Sequence, residues 1–169
     1  MDETLERHTI AVLVDNEPGV LARVIGLFSG RGYNIESLTV AEVDEARSLS
    51  RISVVTTGTE QVIEQIKALL GKQVPVRTLA DLTVEGPHIE RELALAKVTG
   101  DRSRLIDALR VAEFMDARLV DRTIDSIVFE VTGTTEEVDS FLHLLEPVEV
   151  SRAGVVAMAK GTKTLELSR

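Results

Sequence analysis

Residues 8–28 read HTIAVLVDNEPGVLARVIGLF, and within them the spacing of apolar residues changes from that of a strand to that of a helix. Ile10, Val12 and Val14 alternate with their neighbours, as in a half-buried β-strand. Beyond the turn at 15–19, apolar residues recur three and four positions apart, as on one face of a helix. This predicted stripe consists of Leu21, Val24, Ile25 and Phe28. The stretch therefore predicts a strand and a helix joined by a tight turn.

The residues that follow complete a β-α-β-β-α-β order. Two β-prone runs, Asn34–Ala41 and Leu49–Thr56, flank a polar segment and predict a hairpin. A second helical stripe begins after Thr59, and the short apolar run Val74–Leu79 predicts a final strand. This order is the split βαβ arrangement of ferredoxin-like folds, so the predicted fold class is α+β.

The same order returns in the second half of the chain. Residues 84–91 contain a Gly-Pro pair, which interrupts regular structure, and we interpret them as a linker. The tripeptide Thr57-Gly58-Thr59 recurs as Thr132-Gly133-Thr134, each time where a predicted strand precedes a helix. The later elements are predicted at Leu93–Val98, Ser103–Ala112, Arg118–Thr123, Ser126–Thr132 and Val148–Arg152, with a second helix marked by Val138, Phe141, Leu142 and Leu145. Thr134 and Glu137 have the spacing of a capping box before this helix. We therefore predict two tandem ferredoxin-like domains, residues 1–83 and residues 92–169, the second with a C-terminal tail.

The composition argues against several classes of function. The 169 residues include 19 basic and 28 acidic side chains, a formal net charge of −9, and no cysteine. A chain this acidic repels phosphates, which argues against nucleic acid or an anionic membrane as a partner. Without cysteine there is no disulfide, catalytic thiolate or sulfur-ligated metal. The sequence shows neither a secretion signal nor an apolar run of about 18–20 residues, so we predict a cytoplasmic protein.

No arrangement of residues in the sequence predicts catalysis or metal binding. The histidines, His8, His88 and His143, lie on different predicted elements and lack a metal-binding spacing such as HExxH. The glycines match neither GxGxxG after a strand nor a phosphate-binding P-loop, and no GxSxG elbow occurs. Aromatic residues placed to stack on RNA bases are also lacking. We therefore predict no catalytic residue and no metal site, and a chain that is not an enzyme by itself.

The turn Asp15–Gly19 is the segment best suited to bind a ligand. Where a strand ends and a helix begins, several backbone N–H groups lack helical partners and the helix dipole is positive, so a carboxylate can bind. Gly19 permits close approach to the backbone, and Asn16 adds an amide. The alternative is purely structural: an Asn or Asp side chain caps the helix, Pro18 begins it and Gly19 eases the turn. The residues alone leave both interpretations open.

Several segments of the chain resemble a known family. They include LVDNEPGVL at residues 13–21, RVIGLF at 23–28 and RGYNIESLTV at 31–40. Together they resemble the small regulatory subunit of acetolactate synthase (acetohydroxyacid synthase), whose first domain is an ACT domain. HIEREL at 88–93 and RAG at 152–154 are similar to the second domain of the same family. The resemblance extends over nearly the whole chain.

This resemblance implies a regulatory role in the biosynthesis of valine, leucine and isoleucine. Such a subunit is not catalytic by itself. It binds a catalytic (large) subunit, which carries thiamine diphosphate, magnesium and FAD and condenses pyruvate with a second 2-oxo acid. It raises the activity of that subunit and makes it sensitive to feedback inhibition by valine, and no cofactor is implied in this chain. The alternative interpretation is a stand-alone ACT-type amino-acid sensor that regulates another target.

The resemblance also implies where the effector binds. ACT domains of this family pair as homodimers, and valine lies at the interface, with its carboxylate on one chain and its α-amino group on the other. The implied binding residues are Asn16, Gly19, Val20 and Leu21 of one chain, with Asn34 and Ile35 of the partner subunit. The second domain reads VTGDR at 98–102 and has no GYNI counterpart. Its expected role is contact with the catalytic subunit or support of the dimer.

Overall fold

The computed structural model describes residues 4–73 and 75–165. The chain folds into two compact units, one formed by residues up to Ile89 together with those from Val156 onward, the other by Glu90–Val155. Each unit follows the β-α-β-β-α-β order, so the predicted α+β class with two ferredoxin-like repeats is confirmed. None of the described helices is long and apolar enough to cross a membrane.

The first unit packs two longer helices against a four-stranded sheet. Its elements are β1 (Glu6–Asp15), α1 (Val20–Ser29), β2 (Ser37–Asp44), β3 (Leu49–Gly58), α2 (Glu60–Gly71), β4 (Val76–Asp81) and the short α3 (Leu82–Glu85). The strand order is β2-β3-β1-β4 with antiparallel neighbours. Strand β2 therefore lies at one edge of the sheet and runs parallel to β1.

One face of this sheet and the two longer helices enclose the first core. Ile10, Val12 and Val14 of β1 project onto this face, as their alternation predicts, and all are fully buried. The predicted stripe of α1 is wrong at two positions, since Leu21 is half buried and Ile25 is exposed. Apolar residues occupy two overlapping stripes on this helix, so their spacing alone does not select the buried one. The residues that α1 buries are Val20, Val24, Leu27 and Phe28.

The second unit repeats this arrangement around a separate core. Its elements are β5 (His88–Thr99), α4 (Arg102–Phe114), β6 (Arg118–Arg122), β7 (Ser126–Gly133), α5 (Thr135–Leu145) and β8 (Glu149–Arg152). In the strand order β6-β7-β5-β8, β5 is an inner strand that buries Ala94, Ala96 and Val98. Phe129 and Phe141 meet edge to face in this core, with ring centroids 6.4 Å apart.

The repeated Thr-Gly-Thr tripeptide precedes a helix in both units. Thr59 accepts a hydrogen bond from the backbone N–H of Val62 at the start of α2. Thr134 accepts one from the N–H of Glu137 at the start of α5, and the Glu137 carboxylate accepts one from the Thr134 N–H at 2.8 Å. This reciprocal pair is a capping box, which satisfies two backbone donors at once. The local sequence signal thus predicted both helix starts.

The segment predicted as a linker, residues 84–91, contains more regular structure than expected. It includes the end of α3 and the beginning of β5, and only Gly86 and Pro87 lie outside these elements. Helix α3 begins at Leu82, where the Asp81 side chain caps it by accepting a hydrogen bond from the N–H of Thr83. A helix of one turn has too few residues to show an apolar period, so the sequence pattern does not reveal it.

Residues 156–165 fold with the first unit, although they are predicted to form the tail of the second domain. They include β9 (Val156–Ala159), in which Ala157 is buried against Ala11 of β1. Arg51 of β3 donates from Nη2 to the carbonyl oxygen of Ala157 at 2.7 Å. Ala11 alternates with the core-facing residues of β1. This segment therefore covers the face of the first sheet opposite its two longer helices.

Candidate functional site

The turn between β1 and α1 is held in place by backbone hydrogen bonds to two other parts of the first unit. The N–H of Asn16 donates to the carbonyl oxygen of Ser48 at 2.7 Å, and that of Asp15 to Pro75 at 2.9 Å. Gly19 has φ 84° and ψ −4°, the left-handed conformation that glycine adopts without strain. A Cβ at Gly19 would meet no atom within 4 Å. The turn is therefore rigidly placed and open on its outer side.

Helix α1 begins without a side-chain cap, which contradicts the structural interpretation of this turn. The Asn16 amide donates instead to Oε1 of Glu42 at 3.1 Å, and the Asp15 carboxylate accepts from Nε of Arg77 at 2.7 Å. Pro18 does not begin the helix, because α1 starts at Val20 and Gly19 occupies the N-cap position. The capping function that the sequence suggested for this turn is thus absent, since tertiary partners engage the polar side chains.

The amino-terminal turn of α1 has free donors and no competing acid. In the described part of the chain, the N–H groups of Gly19, Leu21 and Ala22 have no hydrogen-bond acceptor, while that of Val20 contacts the Glu17 carbonyl oxygen at 3.3 Å. The first turn of α1 contains no acidic residue. The donors and the positive end of the helix dipole therefore form a position where a carboxylate is stabilised.

The side chains at this turn differ in what they offer a ligand. Asn16 and Gly19 are exposed, and Leu21 is half buried. Val20 is buried in the core, so only its backbone remains at the turn. The hydrogen bond from Arg77 to Asp15 raises the pKa of the Arg77 guanidinium, and this pair offsets the negative charge of Asp15 beside the turn. The predicted residues therefore supply backbone donors, one amide and one apolar surface.

Asn34 and Ile35 lie just before β2. Asn34 is exposed, and its carbonyl oxygen accepts a hydrogen bond from Oγ1 of Thr56 at 2.6 Å. Ile35 is half buried against the first core. This contact holds the backbone at Asn34 to the end of β3 and leaves the Asn34 side chain at the surface.

A single chain does not bring the two groups of predicted residues together. Thr56, beside Asn34, pairs with His8 of β1, whereas Asn16 follows Asp15 at the opposite end of that strand. His8 and Asp15 are separated by about 23 Å of strand at roughly 3.3 Å per residue. One amino acid cannot span that distance, so a shared site requires a second copy of the chain.

The buried histidine of the first unit has a structural partner. His8 is buried, and its Nδ1 lies 2.8 Å from Oδ2 of Asp81, which joins β1 to the end of β4. No group of three or more histidine, aspartate or glutamate residues among those described is arranged to hold a metal ion. The His8–Asp81 pair therefore explains the buried histidine as a link between strands.

The corresponding turn of the second unit is closed by the chain itself. Asp101 caps α4, accepting a hydrogen bond from the N–H of Arg104 at 2.9 Å. The N–H of Gly100 donates to the carbonyl oxygen of Asp125 at 3.0 Å. A carboxylate from the chain already occupies the position that a ligand carboxylate would need. The second unit therefore does not offer the same site.

The residues that position the first turn are absent from the predicted site. Glu42 holds the Asn16 side chain, Ser48 holds its backbone, and Arg77 pairs with Asp15. Each partner is more than twenty residues away from the turn: Glu42 lies in β2, Ser48 in the turn before β3 and Arg77 in β4. No local pattern signals such contacts, because they depend on how the strands are arranged in the sheet.

Comparison with known proteins finds the same similarity over both units. The family model described as "AHAS small subunit-like ACT domain" matches residues 10–76. The model described as "Small subunit of acetolactate synthase" matches residues 91–161. The two matches together span most of the described chain.

Individual proteins are similar over nearly the whole chain. The acetolactate synthase isozyme 3 small subunit of Salmonella typhimurium is 41% identical over 163 residues, covering 94% of this chain and 99% of its own. The probable acetolactate synthase small subunit of Archaeoglobus fulgidus is 41% identical over 160 residues, with 93% and 99% covered. The crystal structure of the acetolactate synthase small subunit from Thermotoga maritima is 34% identical, with a TM-score of 0.81 and 94% and 99% of the chains covered.

Proposed function

This chain belongs to the family of acetolactate synthase small subunits, and from that premise we propose that it confers feedback inhibition by valine on a catalytic large subunit. It also raises the activity of that subunit in the biosynthesis of branched-chain amino acids. Thiamine diphosphate, magnesium and FAD belong to the catalytic subunit in this proposal, and the small subunit supplies the effector site.

The uncapped beginning of α1 carries this proposal. The free N–H groups of Gly19, Leu21 and Ala22 can bind the carboxylate of valine, with the positive end of the helix dipole behind them. The open space around Gly19 admits the ligand to the backbone. The side-chain amide of Asn16, which donates to Glu42, lies in the same turn.

The edge strand β2 supports a homodimer that completes the site. A two-fold axis pairs the β2 strands of two copies antiparallel, so the beginning of one lies beside the end of the other. Glu42, which holds Asn16, lies near the end of β2, and Asn34 precedes its beginning. Such pairing brings the turn of one chain to Asn34 and Ile35 of the partner subunit. The exposed Val40 and Val43 would also be covered by this interface.

The chemistry of the combined site fits a small aliphatic amino acid. The amide oxygen of Asn34 can accept from the α-ammonium group, while Leu21 and Ile35 supply half-buried apolar surface for an isopropyl group. Charge-assisted hydrogen bonds contribute about 1.5–3 kcal/mol each. Burying the isopropyl group adds about 1.5–2 kcal/mol, and ordering of the ligand opposes both. We expect micromolar to millimolar affinity, which suits the sensing of a metabolite concentration.

A site shared by two chains also provides a mechanism of regulation. Valine can bind fully only in dimers whose β2 strands are correctly paired, so it stabilises one dimer geometry over others. Valine thereby changes the fraction of dimers in each geometry, and a catalytic subunit bound to the dimer responds to that change. Inhibition follows if the geometry favoured by valine is the less activating one.

Reconstitution with the catalytic subunit of the same organism tests this function. Acetolactate formation is measured with the catalytic subunit alone, with the small subunit added, and with L-valine added to both. We expect higher activity on addition of the small subunit and loss of that activity with valine. Absence of both effects, together with separate elution of the two proteins, would overturn the proposal. Valine binding without any effect on the catalytic subunit would indicate a stand-alone amino-acid sensor instead.

A further inference from the structure

A cavity of about 300 Å³ lies within the first unit, on the face of its sheet opposite α1 and α2. Ala80, Leu82, Met158, Ala159 and Leu165 contribute apolar surface to its wall, and Arg51 of β3 also lines it. A second cavity of about 510 Å³ shares Arg51, Met158 and Leu165 with the first. The two cavities therefore meet around one arginine.

Arg51 differs from the other charged residues of these walls. Arg47 lies 3.6 Å from a carboxylate oxygen of Asp44, and Lys163 lies 2.8 Å from one of Glu85. Arg51 is half buried and has no carboxylate within ion-pair distance among the described residues. Arg51 donates from Nη2 to the Ala157 carbonyl oxygen, and its other guanidinium N–H groups have no acceptor within residues 4–73 and 75–165. Burial lowers the pKa of the Arg51 guanidinium from its ordinary value.

A partly buried cation without a counter-ion is unfavourable until an anion compensates it. A guanidinium carries five donors in a planar fork, which matches the two oxygens of a carboxylate. Beside this fork the first cavity presents the apolar side chains of Leu82, Met158 and Leu165, so the complementary ligand has one carboxylate and a short hydrocarbon body. The volume of the first cavity lies at the lower end of the range for small-molecule sites, about 300–1,000 Å³.

We propose that this cavity binds a small aliphatic carboxylate, whose oxygens pair with Arg51 and whose hydrocarbon chain packs among Leu82, Met158 and Leu165. Glu85 and Asp44, the carboxylates of the two cavity walls, are engaged by Lys163 and Arg47. An α-ammonium group would therefore find no free carboxylate among these residues. The site favours simple or 2-oxo acids over amino acids and is separate from the turn before α1.

Calorimetric titration of the full chain with 4-methylpentanoate tests the proposal. The matched neutral probe is 4-methylpentanamide, which keeps the hydrocarbon body and removes the charge. We expect saturable binding of the acid and at least tenfold weaker binding of the amide. The Arg51→Gln variant, which removes the charge and keeps a polar amide, should also bind the acid at least tenfold more weakly. Arg47→Gln serves as the control, because Arg47 already pairs with Asp44. The affinity of this variant for the acid should stay within threefold of the wild-type value.

A second variant tests the cavity without altering the charge. Ala159→Leu places an isobutyl group into the space that the ligand would occupy, so the acid should bind at least tenfold more weakly while Arg51 remains. Circular dichroism establishes that each variant is folded. No saturable binding by the wild-type chain, equal affinity for acid and amide, or unchanged binding by folded Ala159→Leu would overturn the proposal. L-Valine inhibition of the reconstituted enzyme is measured separately, since it reports on the turn before α1.

Discussion

The first helices of the two units begin in opposite ways, although each follows a strand through a turn that contains glycine. Before α1, Gly19 adopts φ 84°, no side chain caps the helix, and an added Cβ would meet nothing within 4 Å. Before α4, Gly100 adopts φ 150°, and an added Cβ would lie 2.8 Å from Cγ of Arg104. Asp101 then caps α4 with its own carboxylate.

This difference shows what turns a common structural feature into a candidate site. Every helix begins with unpaired backbone donors, so their existence alone distinguishes nothing. In the second unit a carboxylate of the chain satisfies one of these donors and the space beside the glycine is filled. In the first unit the polar side chains of the turn bind elsewhere, and the donors remain open. The resemblance implied an effector site in the first unit, and the two turns supply a physical reason for it.

Among the substitutions that test this difference between the two turns, Gly19→Asp should have the largest effect on valine inhibition. It places a carboxylate where the valine carboxylate is expected, and like charges within a few ångströms repel each other. We expect the valine concentration for half inhibition of the reconstituted enzyme to rise at least 100-fold. Activation by the small subunit should remain, and aspartate is among the residues that tolerate a left-handed conformation.

Gly19→Asn is the matched control, because it has the same size and backbone preference without the charge. We expect the valine concentration for half inhibition to rise much less than it does for Gly19→Asp. Equal increases of this concentration in both variants would show that the size of the new side chain, and not its charge, causes the effect. Full valine inhibition of the Gly19→Asp enzyme would show that this turn is not part of the site.

The Asn34→Ala substitution tests the other half of the proposed shared site. The exposed Asn34 side chain is expected to accept a hydrogen bond from the α-ammonium group of valine. Its loss should weaken valine binding by about 10- to 100-fold, the size of one charge-assisted bond of about 1.5–3 kcal/mol. The free energy of unfolding should change by less than about 0.5 kcal/mol, as for other exposed positions. Isothermal titration and urea denaturation measure the two quantities, and unchanged valine affinity would exclude Asn34.

The Asp101→Ala substitution makes the second turn resemble the first. Removal of an N-cap destabilises a helix by about 1 kcal/mol, and urea denaturation should detect this decrease. Valine inhibition should change little, because the second unit has no counterpart of Asn34 and Ile35. Asp107→Ala is the control on the same helix, since Asp107 is exposed and pairs with Arg110 three residues away. A second valine site in the Asp101→Ala protein would contradict the role given to Asn34.

Much of the fold could be predicted because its signals are local. The alternation of Ile10, Val12 and Val14 predicts β1, and Thr59 and Thr134 mark the beginnings of α2 and α5. Where two local patterns overlap, as in α1, the prediction is partly wrong. Leu21 and Ile25 belong to the predicted buried stripe, but neither is fully buried. Periodicity states that a helix is amphipathic, but the neighbouring strands decide which of two similar faces is covered.

The candidate site could be predicted only in part. Residues Asn16 and Gly19 stand out from the sequence, and their turn is present as expected. The sequence also suggested a side-chain cap, which the structure contradicts because Glu42 and Arg77 engage the polar side chains. These partners belong to β2 and β4, so their contact with the turn depends on strand order.

Local residue patterns predict the repeated β-α-β-β-α-β order, both Thr-capped helix starts and the turn before α1, because each depends on residues close together in the chain. The tertiary structure sets which helix start stays open, since the competing partners are distant in sequence. It placed Asn16 and Asn34 at opposite ends of one sheet, from which the need for a second copy follows. It also brought Arg51 to Ala157, 106 residues away, and formed an arginine-lined cavity. Contacts of that kind arise from packing, which no local pattern of residues encodes.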